Sequence, residues 1–453
     1  MFSLRDLFLV LLLIGGLPMS IARPMYGVLI FAWLGIMNPH RLTWSFAEEI
    51  PWSMIYGIAT TIGFLMTKDR ILGESLRDYW PVLLLLVWYG ITTAFAFIPE
   101  AALEKYVAVL KSQYMCLLTL ALLTTRTRVY QLAIVVVLSL AFFGFKGGVF
   151  TLLSGGEHRV FGPRGSAIED NNHLAVGLVM VLPLLFWLWH HLTNPWLRRL
   201  AIVIMLTCAA AILGSHSRSA FVGLVAIGGF LWLKTDRKLI ALFLAILVGT
   251  CALAVMPEKY WARMDTIANH EQDASANSRL LTWQVATNVA NSRPLGAGFE
   301  YYSPAASALY SPEPNRVHSA HSIYFQALGE HGWIGLVLLL LVIGYTWDIC
   351  RRAARRLDDD PDGKSLARLA RMIQVSLIGF ATGGAFVNIG NWDFFYYELV
   401  LALGLCRVAF AMPLPKRDHQ MLFSVHPARA STLAGDIREL PRAGVGATSR
   451  VSR

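Results

Sequence analysis

The residues best suited to chemistry lie in one stretch, His318-Ser319-Ala320-His321-Ser322-Ile323-Tyr324-Phe325-Gln326-Ala327-Leu328-Gly329-Glu330-His331-Gly332-Trp333-Ile334-Gly335. It closes the one long polar loop between hydrophobic segments and runs directly into the next segment. An imidazole at the mouth of a membrane helix can accept or donate a proton at a membrane surface. His321 is the best placed, because it opens an amphipathic segment whose Gly329, Gly332 and Gly335 allow close helix approach. Three histidines also raise the question of a metal. Their spacings of 3 and 10 residues, with no nearby Asp or Cys to complete a set, argue against a metal site.

Basic residues gather near this histidine in the expected topology. Arg218 lies in Gly214-Ser215-His216-Ser217-Arg218-Ser219-Ala220, between two apolar runs. A guanidinium beside a helix start suits a phosphate, and the bland alternative is a boundary charge that snorkels. Arg279 stands in the long loop four residues before Trp283, and Arg159 and Arg164 lie in His158-Arg159-Val160-Phe161-Gly162-Pro163-Arg164-Gly165. Singly, each reads as a solvated surface residue. Lys111 and Lys146 lie inside apolar runs, where a charge is costly and usually faces a cavity or a partner. Collectively these cations describe a positive funnel for a diphosphate whose lipid tail stays in the bilayer. Asn171-Asn172-His173 opens a further span and reads as a helix cap. Asp393, at the start of the last span, either pairs with an arginine or caps that helix.

The elements that must position these groups are membrane helices. The chain has 453 residues, 56% of them hydrophobic and only 15% charged, with a mean hydropathy of +0.52. A soluble chain of this size could not hide so much apolar surface. Candidate spans are 7–20, 24–38, 52–67, 80–98, 106–124, 129–151, 173–192, 197–214, 218–233, 239–256, 333–350, 372–389 and 394–412. The first two form a tight hairpin or one broken crossing, which gives 12 or 13 crossings. The fold class is therefore all-α: a polytopic membrane protein with about 12 transmembrane helices and a large folded periplasmic loop. The first 20 residues, which have no clear cleavage site, read as a retained anchor.

Lysine and arginine in alternating loops set the orientation. Lys68, Arg70 and Arg77, then Arg126 and Arg128, Arg198 and Arg199, Lys234 to Lys238, Arg351 to Arg356, and the tail from Lys416 fall on one side, taken as cytoplasmic. The net charge of +10 thus reads as topology, not as nucleic-acid binding. The five cysteines lie in or at the ends of apolar runs, which speaks against disulfides and zinc. The regions expected are an amino-terminal membrane part over 1–79, helices with outward basic residues over 80–256, a periplasmic cap with the histidine motif over 257–332, carboxy-terminal helices over 333–412 and a disordered tail over 413–453. Trp283, with Arg279 in a run of helical spacing, and the turn residues Pro294, Gly296 and Gly298 make the cap a folded unit.

The histidine stretch from His321 to Gly332 resembles the signature of the O-antigen ligase and polymerase superfamily. Ser217-Arg218-Ser219-Ala220 resembles its Ser-Arg-small motif at a span start, Ser278-Arg279 before Trp283 its loop arginine, and Arg164 to Asn172 its Gly/Asn-rich entry to a span. Ser322 departs from the usual Asn, and His318 offers a competing imidazole. The resemblance covers roughly residues 80–412. The segment Met37 to Trp44 resembles a subgroup of O-glycosylation ligases associated with exosortase systems.

The resemblance implies an inverting, metal-independent transfer of a glycan from undecaprenyl diphosphate to a hydroxyl of lipid A-core or of a protein, at the periplasmic face of the bacterial inner membrane. It implies His321 as base and Arg218 and Arg279 as leading diphosphate ligands. Arg164, Arg159, Lys111, Lys146, Trp283 and His318 are further substrate-binding candidates. No cofactor is expected. A polymerase of O-antigen or exopolysaccharide is the rival within the class. A flippase of lipid-linked sugars is the rival outside it, disfavoured because no internal repeat is found and the polar groups concentrate at one face.

Overall fold

The computed structural model describes residues 4–43, 45–239, 274–313, 319–360 and 362–411, with side chains in the long loop from residue 277 on. The span expected over 239–256 (apart from its first residue), His318 and the expected tail over 413–453 lie outside these residues.

All regular structure among the described residues is helical. The longer helices are α1 (Leu4–Ala22), α2 (Pro24–Met37), α3 (Trp52–Met66), α4 (Trp80–Ala94), α5 (Pro99–Leu122), α6 (Arg126–Leu153), α7 (Asn171–His191), α8 (Pro195–Gly214), α9 (Arg218–Lys234), α10 (Ala274–Ser292), α11 (Ile323–Asp358), α12 (Lys364–Gly383) and α13 (Asp393–Ala411). Seven of these, α1, α6, α7, α8, α11, α12 and α13, are long and apolar enough to cross a membrane, while α2, α3 and α4 are apolar but shorter. Against the expected 12 or 13 crossings, α5 carries Glu100, Glu104, Lys105 and Lys111, and α9 has 17 residues. Only Arg23 separates α1 from α2, and these two helices pack on each other.

Local chemistry fixes the helix starts. The side chains of Thr125, Asp170, Asn194, Ser217 and Ser322 each accept a hydrogen bond from the first turn of α6, α7, α8, α9 and α11. Pro24, Pro99 and Pro195 occupy first-turn positions, where no backbone donor is needed. The cap of α7 is Asp170, not the Asn171-Asn172 pair expected from the sequence. Asn171 is buried, and its Nδ2 donates to the Ser215 carbonyl at 2.8 Å. The acidic side chain takes the cap because it stands one residue earlier, where the backbone is still extended.

The core gathers around α7 and α13. From Phe394 to Leu405, α13 is buried without a break, packed by α5, α6, α11 and α12. The α7 helix is similarly enclosed from Leu174 to Val181 by α8, α9, α12 and α6. A helix apolar all round is what a central position requires.

The described part of the long loop contains two helices and a small apolar cluster. α10 covers the run predicted to be helical and packs on α11. Val289, Ala297, Tyr301 and Ala306 form a small apolar cluster with Phe97 beside it. Burial pushes the Tyr301 and Tyr302 phenols up, so both remain neutral. The turn that follows α10 uses Gly296 at φ 71° and Gly298 at φ 78°. α11 breaks at Gly332, which has φ 67° and ψ −172°. A Cβ at Gly332 would lie 2.3 Å from the Pro294 carbonyl oxygen, and one at Gly296 would lie 2.5 Å from the Glu330 carbonyl oxygen. Two glycines therefore let the turn and the kink meet backbone to backbone.

Candidate active site

His321 stands just ahead of α11, exposed, with φ 45°. A left-handed backbone at a non-glycine residue costs about 1–3 kcal/mol and persists only where neighbours enforce it. Here they do. The Ser322 N–H donates to Asn388 Oδ1 at 2.8 Å, and Ser322 Oγ caps the helix by accepting from Phe325 N. The Trp283 ring lies flat on Phe325, centroids 4.7 Å apart and planes 7° apart, and its Nε1 donates to the Ala320 carbonyl at 2.9 Å. Trp283, a substrate-binding candidate from the sequence, thus touches both the histidine loop and the first turn of α11. Ser319 Oγ lies 3.4 Å from His321 Nε2.

His331 is not part of this surface. It is buried, with Nδ1 2.7 Å from Thr92 Oγ1 and its ring stacked on Tyr89 at 4.0 Å. Its carbonyl accepts from Trp88 Nε1 at 2.9 Å. Because the Thr92 hydroxyl already donates to the Tyr89 carbonyl at 3.0 Å, His331 Nδ1 is the donor in this pair. The residue locks the loop–helix junction onto α4.

Beside the histidine loop lies a cavity of about 420 Å³. Its walls come from α5 (Lys105, Ser112), the loop before α7 (Ser166, Ala167), His173, Gln326 of α11, and the segment Asn388 to Asp393. His173 is an electrostatic neighbour of His321. Asp393, left open between a cap and an arginine partner, instead accepts a hydrogen bond from Ser112 Oγ. Lys105 pairs with Glu300 at 3.4 Å, and Glu300 itself has φ 54°.

The cations fall into distinct places. Arg218 opens α9, half-buried, directly after a turn tied to the loop before α7 by Val160 N to Gly214 O at 3.2 Å and by Asn171 to Ser215. Arg279 lies in the second turn of α10, half-buried, one helical turn before Trp283. Lys146 and Arg159 line a second cavity of about 290 Å³ with Phe143, Phe150 and Phe161. Arg164 is exposed on the loop before α7, and Lys111 is exposed on α5, on neither cavity wall. Among the described residues, Lys111, Lys146, Arg159 and Arg164 make no ion pair or hydrogen bond. Of the basic residues taken as cytoplasmic, Arg126 pairs with Asp360, Arg128 with Asp69, and Arg351 and Arg352 with Asp348; elsewhere Arg371 pairs with Asp358 and Arg41 with Glu48.

Sequence reasoning did not find Lys105, Gln326, Asn388 or Asn391. Lys105 reads as a loop charge before a span, and Asn388 as the end of an apolar run. The usable signal was the polar cluster Asn388, Asn391 and Asp393 between two spans.

The fold and site together define a polytopic helical membrane protein whose histidine loop lies beside a polar cavity, the two tied by the hydrogen bond from Ser322 to Asn388. Residues 200–340 of the chain match the family model described as O-antigen ligase, and residues 4–193 match one described as a family of unknown function (DUF5935). The first match contains Arg218, Arg279 and His321, so the superfamily resemblance read from those motifs is shown. A search of curated proteins found no match.

Proposed function

We propose that this chain is a membrane glycosyltransferase of the O-antigen ligase type. It moves a glycan from undecaprenyl diphosphate to a hydroxyl of lipid A-core or of a protein, at the periplasmic face of the bacterial inner membrane. The observation that carries this reading is the placement of His321. It sits on an enforced left-handed turn beside a polar cavity, inside the segment that matches the O-antigen ligase family.

The chemistry follows from the groups present. The acceptor O–H gives its proton to the His321 imidazole as its oxygen attacks the anomeric carbon. The bond from that carbon to the diphosphate oxygen breaks from the opposite side, so the configuration inverts. The polyprenyl diphosphate leaves with added negative charge, which Arg218 and Arg279 stabilise as fixed guanidinium groups. Arg164, Arg159, Lys146 and Lys111 draw the anionic head group towards the site. No metal is assigned a step. A polymerase shares every part of this scheme except the acceptor, which is a second lipid-linked glycan.

The test is glycan transfer in proteoliposomes with lipid-diphosphate-linked donor and candidate acceptors. His321→Asn is the variant of choice, since Asn tolerates the left-handed backbone but is not a base. Transfer is expected to fall by about 10²–10⁴-fold, the usual worth of a general base, with the fold intact. Undiminished transfer would place the base elsewhere. Movement of the donor between leaflets without transfer would favour a flippase.

A further inference from the structure

The cavity beside His321 differs in character from the cationic surfaces around it. On its walls Lys105 is the one lysine or arginine and Asp393 the one carboxylate, and Lys105 is already paired with Glu300 at 3.4 Å. A diphosphate requires several fixed cations, and this wall offers no net positive charge from them. What it does offer is amides and hydroxyls: Gln326, Asn388, Asn391, Ser112 and Ser166. Their orientation can be worked out. Asn388 Oδ1 accepts from Ser322 N, so Nδ2 is left to donate. Gln326 Nε2 donates to Glu330 Oε1 at 3.3 Å, so Oε1 is left to accept. Asn391 Oδ1 has no partner among the described residues.

Glu330 fixes this arrangement from within the protein. It is fully buried, and the same Oε1 that holds Gln326 also accepts from Glu300 N at 3.3 Å. One buried carboxyl group thus aims Gln326 and steadies the backbone of the residue that neutralises Lys105. A wall of oriented donors and acceptors with balanced charge is suited to a polyol, whose hydroxyls both give and take hydrogen bonds. The volume of about 420 Å³ falls in the ordinary range of small-molecule sites.

We propose that this cavity is a sugar-ring subsite, built by Gln326, Asn388 and Asn391, which presents a ring of the donor or acceptor glycan to His321 while the diphosphate lies outside it. This rests on the glycosyl-transfer reading above. Glu330 is a positioning residue for the subsite.

The test uses the full chain in proteoliposomes, with a polyprenyl-diphosphate-linked glycan as donor, an acceptor used by the wild type, and sugar-free polyprenyl diphosphate as a competing probe. Gln326→Ala removes one hydrogen-bond acceptor. It is expected to raise KM about tenfold for whichever glycan the cavity holds, donor or acceptor, leaving the inhibition constant of the probe within about twofold. Gln326→Glu places a carboxylate on the wall, and it too is expected to leave the probe's inhibition constant within about twofold. A rise of about tenfold or more in that constant in either variant would assign the cavity to the diphosphate and overturn the proposal. So would an unchanged KM for both glycans in folded Gln326→Ala. Should Gln326→Ala not fold, the probe with Gln326→Glu decides. Absence of transfer by the wild type with every acceptor is a separate outcome, seen before any substitution, and overturns the glycosyltransferase reading together with the subsite.

Discussion

Ser322 shows how one residue does two jobs beside the candidate site. Its Oγ caps α11, and its backbone N–H holds Asn388, which fixes the turn that carries His321. Ser322→Ala removes the cap alone and is expected to destabilise the protein by about 1 kcal/mol, whereas Ser322→Asn, another good cap, is expected to restore most of it. Thermal unfolding in detergent measures both, and equal stabilities for the three proteins would contradict the capping role. The two outer imidazoles of the stretch were not separable by spacing. His331 is buried against Thr92, Tyr89 and Phe299, and nothing in the local sequence names those partners, which lie on α4 and in the cap. The place of His321 ahead of a helix start was legible because the capping serine that follows it is a local signal.

The junction of the cap with α11 depends on two glycines. At Gly332 an alanine would need φ 67° and would bring its Cβ to 2.3 Å from the Pro294 carbonyl oxygen. Gly332→Ala is therefore expected to destabilise the protein by more than about 1 kcal/mol, since the conformation is incompatible and the obstacle is backbone. A purified variant with the wild-type unfolding midpoint would argue that the kink relaxes freely. The helices were the most legible elements, because apolar runs and caps are local. The run from Arg279 gave α10, and Pro294, Gly296 and Gly298 gave the turn after it. The cavity wall was not legible. It joins Lys105, His173, Gln326 and Asn388, four stretches brought together only by packing, and each residue alone looks like a helix end.

At the scale of the whole molecule, some of the described cations have carboxylate partners and others have none among the described residues. Arg126, Arg128, Arg351 and Arg352, in loops taken as cytoplasmic, meet aspartates, and Arg41 and Lys105 meet glutamates, while Lys111, Lys146, Arg159 and Arg164 meet no protein partner among the described residues. The unpartnered set fits the anionic donor proposed above. It also gives a test of orientation. A single cysteine replacing Arg164 is expected to react with an impermeant maleimide in intact cells, and one replacing Arg355 only after permeabilisation. Labelling of position 164 solely in opened cells would invert the topology. Among the described residues the native thiols interfere little, since Cys116, Cys208 and Cys350 are buried and Cys406 is half-buried, and Cys251 is replaced by serine in the labelling background.

The bond from Ser322 N–H to Asn388 also has a consequence for the order in which the protein is made. The two residues are 66 positions apart, and the Thr92–His331 contact spans 239. Synthesis runs from the amino terminus, so the histidine is made well before the asparagine that holds its turn. A nascent chain halted between them would own its proposed base and its arginines yet leave the turn at His321 without that anchor. Competence for transfer would then arrive late and abruptly, once the stretch ahead of α13 has docked.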